Sequence, residues 1–356
     1  MSKKREVNNN PFTLSFGKKP LQYISRTFQT DKIIDTFNSE NPSNQIYMIS
    51  GVKGSGKTVM MTNIVKTLEE KPEWIVIELN STRDLLNGLA AKLYDSKKMT
   101  KAFIEANIDL SLFNIGIHLK NVVPASDIEE AIKDMLKIIK KQNKKVLVCI
   151  DEVSKNEYVR QFSSAFQILL RADLPIFLIM TGLYENIYDL QNDNSLTILY
   201  RAPKIILEPL SISAIADSYQ NIFKIDIKEA IKLATLTNGY PFAYQALGYL
   251  YFDNRNIDKI LPTYDQYLEE YVYEKVWKEL SNKDKEIMLG ICKAKDNSVK
   301  TIRESLNMSS SSFSIYRDRL LRKGLIDTKD YGHINLVLPR FNIFCQKQEM
   351  IYNLSL

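Results

Sequence analysis

Apolar residues along the first 210 positions fall into short continuous runs separated by stripes of helical period. Gln45–Ser50, Trp74–Leu79, Lys145–Ile150, Pro175–Met180 and Lys204–Leu207 are the runs, and each predicts a buried strand. Continuous apolarity marks a parallel strand, because helices cover both of its faces. Between the runs, Val59–Leu68 and Asp84–Tyr94 read as helices. Ser126-Asp127-Ile128-Glu129 reads as a capping box opening a third, with Ile128, Ile132, Met135 and Ile139 on one face. Val159, Phe162, Phe166, Leu169 and Leu170 mark a fourth. Strands alternating with helices predict an α/β fold with a doubly wound parallel sheet. The weak alternation over residues 108–123 predicts a β-hairpin insertion.

Beyond Glu208-Pro209 only helical stripes follow for some distance. Ser213–Phe223, Ile227–Thr237 and Phe242–Phe252 predict a small helical lid, punctuated by Asn238-Gly239-Tyr240-Pro241. From about Trp277, Ser281 and Ser298 cap two short helices, and Ser310–Lys323 forms a third ended by Gly324. Leu325–Asp327 and Ile334–Leu338 then read as two strands around a turn at Tyr331-Gly332. Three helices and a hairpin predict a winged helix-turn-helix. Its third helix offers Ser311, Ser312, Ser314, Arg319, Arg322 and Lys323 to a DNA groove or to phosphates. The division is therefore 1–40 as an N-terminal segment, 41–209 as the sheet domain, 210–275 as the lid and 276–356 as the winged helix.

Charge sharpens the last assignment. The chain carries a net charge of +6; residues 277–356 hold 14 Lys/Arg against 9 Asp/Glu, a balance of +5, which leaves +1 for the other 276 residues. A basic C-terminal module is suited to a polyanion such as duplex DNA. The 3 cysteines lack paired spacing and the 2 histidines make no zinc set, so a reducing, cytoplasmic setting is expected. No run is long enough to span a membrane, and none near the N-terminus looks like a secretion signal.

Three of the 12 glycines fall within six residues, in Gly51-Val52-Lys53-Gly54-Ser55-Gly56-Lys57-Thr58. This fits G-x-x-x-x-G-K-[ST], a loop whose backbone N–H groups face the phosphates of a nucleotide. Lys57 then reaches the β- and γ-phosphates, and the Thr58 hydroxyl ligates Mg²⁺. The loop follows one predicted strand and opens a helix, as that chemistry requires. The run Lys145–Ile150 ends in Asp151-Glu152, an acidic pair at a strand tip. Thr181 stands at the tip of the next predicted strand, where a polar side chain can probe the γ-phosphate.

Phosphate loop, Asp-Glu strand, helical lid and winged helix, in that order, resemble the initiator branch of the AAA+ ATPases, the origin-recognition-complex type. The opening residues Asn10-Pro11-Phe12, Phe16-Gly17, Pro20 and Arg26 resemble bacterial ATPases carrying that domain, in which this region lies beside the adenine. The resemblance implies a P-loop NTPase core with ATP and Mg²⁺ as cofactors, Asp151 on the metal and Glu152 polarising the attacking water. It admits a homo-oligomer in which Arg201 reaches a neighbour's γ-phosphate. Gly239-Tyr240-Pro241 also resembles the Gly-x-Pro of signal-transduction ATPases, where Pro241 would pack on the nucleotide. No lid arginine of the usual AAA+ type is evident. The expected activity is Mg-dependent ATP hydrolysis controlling DNA engagement; a protein-binding switch, or a helper for a DNA enzyme, are the alternatives.

Overall fold

The computed structural model describes residues 10–15, 20–116, 125–294 and 296–354. The chain forms two compact units, one of Arg26–Gly51 and Lys57–Leu207, the other of the described residues up to Ser25, Val52–Gly56 and those from Glu208 onward.

The first unit is built on a five-stranded sheet of β1 (Ile46–Ser50), β2 (Trp74–Asn80), β3 (Lys145–Asp151), β4 (Ile176–Gly182) and β5 (Lys204–Ile206). The order is β2-β3-β4-β1-β5 and every pairing is parallel. Along each strand successive side chains take opposite faces. Ile46, Met48, Val146, Val148 and Leu178 face α3 (Leu85–Tyr94), α5 (Ile128–Lys141) and α6 (Glu157–Arg171). Tyr47, Ile49, Leu147, Phe177 and Ile179 face α1 (Thr27–Asn38) and α2 (Lys57–Glu69). Both faces of β1, β3 and β4 are buried, which is why those runs are apolar without alternation, whereas β5, at the sheet edge, is not the buried strand its run predicts, with Ile206 43% exposed. The helices α1, α4 (Thr100–Glu105), α7 (Tyr184–Gln191) and α8 (Thr197–Tyr200) were not legible as stripes.

Two local expectations change. Asp127, not Ser126, caps α5, its carboxylate accepting from the N–H groups of Glu129 and Glu130 at 2.8 and 3.3 Å. A carboxylate there also meets the positive end of the helix dipole. In the stretch read as a β-hairpin, the described part forms a 3₁₀ turn, Ser111–Phe113, while residues 117–124 lie outside the described residues.

The second unit holds α9 (Ile212–Phe223), α10 (Ile227–Leu236), α11 (Pro241–Asp253) and α12 (Ile257–Leu268). Tyr219, Phe223, Tyr244 and Tyr251 form an aromatic core, into which Phe12 inserts at 5.4 to 6.0 Å from three of the rings. A Cβ at Gly248 would lie 2.5 Å from the Phe12 ring, so α11 needs glycine at that close approach. Helix α12 runs on through a π-helical turn, Glu269–Tyr273, into α13 (Glu274–Lys278), with no break at residues 275 and 276.

At the C-terminal end, α14 (Asn282–Lys293), α15 (Val299–Ser305) and α16 (Ser310–Arg322) precede an antiparallel hairpin of β6 (Ile326–Asp327) and β7 (Asn335–Leu336). Helix α17 (Phe341–Leu354) packs on α14 and on the π-helical turn. Tyr273 stacks edge-on against Phe341 and Phe344, at 4.9 and 5.7 Å, and Arg340 pairs through two nitrogens with Asp265. Among the described residues no helix is long and apolar enough to cross a membrane.

Candidate nucleotide-binding site

Strand β1 ends at Ser50 and α2 begins at Lys57, so the glycine-rich loop joins a buried strand to a helix N-terminus. Unpaired N–H groups and the helix dipole make such a terminus attractive to anions. Gly54 and Gly56 take φ of +76° and +91°, a backbone region open to glycine and strained for other residues. The Ser55 hydroxyl is buried with no hydrogen-bond partner among the described residues. A buried orphan polar atom on such a loop calls for a polar ligand, and the residues present fit a phosphate.

Within the first unit the charged groups converge on the carboxyl ends of the strands. The Lys57 ammonium donates to the Gly51 carbonyl at 3.1 Å. Burial pulls its pKa down to about 8, against the opposing pull of Asp151 and Glu152. The Thr58 hydroxyl donates to Asp151 Oδ2 at 2.8 Å, joining the two residues expected at the metal. That set of a hydroxyl and a carboxylate is the hard-oxygen type that suits Mg²⁺.

Because β4 lies between β1 and β3, Thr181 emerges beside Asp151. Thr181 is fully buried, and its hydroxyl donates to Asp151 Oδ1 while facing the Glu152 N–H at 3.4 Å. Glu152 takes φ of +51°, rare for a non-glycine residue, with its N–H bonded to Asp151 Oδ1 at 3.0 Å and its carbonyl accepting from Ser81 Oγ at 3.3 Å. Its side chain is exposed. Strain of this kind gathers where function needs one particular geometry.

Within the second unit, the Tyr240 hydroxyl donates to the Lys53 carbonyl, and a Cβ at Gly54 would lie 2.3 Å from the Tyr240 hydroxyl oxygen. Gly239 has φ of +70° and no room for a side chain against the Leu210 carbonyl, which delivers Tyr240 to the loop. Pro241 is the first residue of α11, and its neighbours Tyr240 and Phe242 are the ones that meet Gly54. The glycine and proline of this tripeptide carry the motif signal, and Tyr240 between them carries none of its own.

The remaining expected residues have surroundings of their own. Arg201, at the C-cap of α8, is exposed with no ion pair among the described residues. Ser311 and Ser312 are exposed in the first turn of α16 and hydrogen-bond to the capping Ser309. Arg319 pairs at 3.3 Å with Asp284, which is 2% exposed, and stacks on Tyr316; Arg322 pairs with Asp318. Lys323 is the C-cap of α16.

Residues 32–180 match the family described as an ATPase domain predominantly from Archaea. That match covers less than half of the chain. Residues 270–345 match a family described as a domain of unknown function. Among solved structures, the ORC2 protein of Aeropyrum pernix (ADPNP–ADP complexes) is 12% identical, with a TM-score of 0.60 over 96% of this chain and 98% of that one. Cdc6p of Pyrobaculum aerophilum is 14% identical, with a TM-score of 0.49 over 94% and 96%. The first likeness shows a shared fold: a parallel five-stranded α/β sheet with helices and a helical C-terminal region. No curated protein matches the chain.

Proposed function

We propose that this chain is a Mg-dependent ATPase of the AAA+ initiator type whose nucleotide state governs how its C-terminal module engages duplex DNA. One observation carries the ATPase reading. Thr58, Asp151 and Thr181 form a hydrogen-bonded chain beside the strained, exposed Glu152, and Thr58 opens the helix that follows a phosphate loop with an orphaned Ser55 hydroxyl.

Gly51 to Gly56 would cradle the phosphates, Lys57 would balance their charge, and Thr58 with Asp151 would hold Mg²⁺. The ion, when bound, supplies charge neutralisation at the transferring phosphoryl group. Glu152 orients and deprotonates the attacking water, Thr181 keeps Asp151 in place, and Pro241 starts the lid helix that presents Tyr240. We take the helices α14 to α16 and their hairpin as a winged helix, and keep 1–40, 41–209, 210–275 and 276–356 as functional divisions, in a cytoplasmic protein.

The full chain is expected to hydrolyse ATP with Mg²⁺ and to bind duplex DNA with ATP and ADP to different extents. Equal DNA binding in both nucleotides removes the coupling; absence of DNA binding in either removes the DNA reading.

Tyr240 on the Lys53 carbonyl favours a second reading, a signal-transduction ATPase with a protein partner, since it links the tripeptide to the loop itself. Both readings admit a homo-oligomer. The exposed Arg201, without an ion pair among the described residues, suits a trans contact. Arg201→Ala is then expected to abolish the dependence of the hydrolysis rate per molecule on protein concentration while leaving nucleotide affinity unchanged. A flat wild-type rate across concentration, matched by the variant, assigns Arg201 to the surface alone.

A further inference from the structure

The two arginines that sequence spacing offered to DNA are engaged within the protein. Arg319 balances the buried Asp284, whose carboxylate also completes the capping box of α14, and Arg322 pairs with Asp318 on its own helix. A different set of cations is left facing outward. Helices α15 and α16 and the hairpin turn at Gly332 enclose a groove of about 300 Å³, whose rim carries Ser298, Lys300, Arg303, Ser310, Ser314 and Arg317. Among the described residues no acidic one lines it. Lys300 and Arg317 have no ion pair among the described residues, and Arg303 has only Glu304, at 3.6 Å. The Nε atoms of Arg303 and Arg317 are buried without a hydrogen-bond partner.

Three cations converging on one concavity repel one another, and buried guanidinium N–H groups without acceptors are costly. Both costs are relieved by an oxyanion that accepts from the arginine forks, with the serine hydroxyls as further donors. We propose that this groove is the phosphate anchor of the C-terminal module, seating a backbone phosphodiester of duplex DNA. The proposal rests on the DNA reading above and moves its contacts from the C-terminal end of α16 to the face shared by α15, α16 and the hairpin turn. Tyr331, next to the groove residue Gly332 along the chain, is fully exposed. Backbone contacts position a protein without reading sequence, so the groove should grip unrelated duplexes alike.

The test is binding of the full chain, with Mg-ATP, to two duplexes of unrelated sequence across a salt series. Arg303→Ala with Arg317→Ala is expected to weaken both duplexes equally, on the order of tenfold to a hundredfold at about 0.1 M salt, and to lower the log–log salt slope by roughly two. Arg319→Ala is expected to lower the melting temperature and leave the slope unchanged. Arg317→Lys, which keeps the charge, should retain most of the slope, and a wild-type melting temperature in the groove variants excludes misfolding as the cause. An unchanged slope in the double variant overturns the groove while leaving the DNA reading intact, and so does a loss confined to one duplex sequence. Absence of duplex binding by the wild-type chain overturns both.

Discussion

Glu152→Gln is expected to leave ATP binding in place and to lower hydrolysis by roughly a hundredfold to ten-thousandfold, the usual range for losing a general base. The backbone of Glu152 is clamped on both sides, its N–H by Asp151 and Thr181 and its carbonyl by Ser81. The left-handed φ turns the chain at the strand tip and leaves the side chain exposed. Glutamine has the same length and can keep the same backbone conformation, so the substitution removes proton acceptance and little else. Single-turnover hydrolysis set beside equilibrium ATP binding checks it. A variant that binds and hydrolyses like the wild type takes Glu152 out of the chemistry. Asp151→Asn is not an equivalent control, because Asp151 also accepts from Thr58 and Thr181.

Lys57→Met is expected to act in opposite directions on the ligand-free fold and on ATP binding. In the unfolded chain Lys57 stays charged up to its ordinary value of 10.5, whereas burial lowers the folded value to about 8. Below about pH 8 both states carry the proton, and the charged side chain then costs the fold on the order of 3 kcal/mol. From pH 8 to 10.5 the folded form has shed the proton, so this cost fades as pH rises. A methionine side chain there would remove the buried charge together with the hydrogen bond to Gly51, itself worth about 1 kcal/mol, so the ligand-free variant should melt higher at pH 7. ATP affinity should fall by roughly two orders of magnitude, because phosphates would lose their buried cation.

The same shift makes wild-type ATP affinity depend on pH. Affinity should be level below about pH 8 and decline above it, as the bound phosphates must then recover a proton for Lys57; the methionine variant should show no such decline. Calorimetric titration at about pH 7 and pH 9, on either side of that value, with thermal melting of the ligand-free protein, measures all of this. A variant that melts lower at pH 7 and binds ATP as the wild type does would mean that Lys57 is neither strained nor at the phosphates.

Elements with local causes were legible in the order of residues alone. The apolar runs of β1 to β4 could be read because strands covered on both faces cannot alternate. The caps at Ser281 and Ser298 could be read because a serine hydroxyl satisfies N–H groups two or three residues on. The phosphate loop stood out because its geometry follows from three glycines and Lys57 within eight residues. Contacts between residues distant along the chain fixed the rest. Thr181 turns to Asp151 because β4 is inserted between β1 and β3, an order that no strand records in its own residues. Tyr240 reaches Lys53 across 187 residues of sequence, and Arg319 is bound to Asp284 across 35, so neither spacing announces the contact. Helices α1, α7 and α17 and the unbroken run from α12 to α13 escaped for a related reason. Their apolar faces are narrow or interrupted, and packing against neighbours rather than intrinsic preference stabilises them. A stripe states that a helix buries a face, but the identity of what it meets is a property of the folded chain.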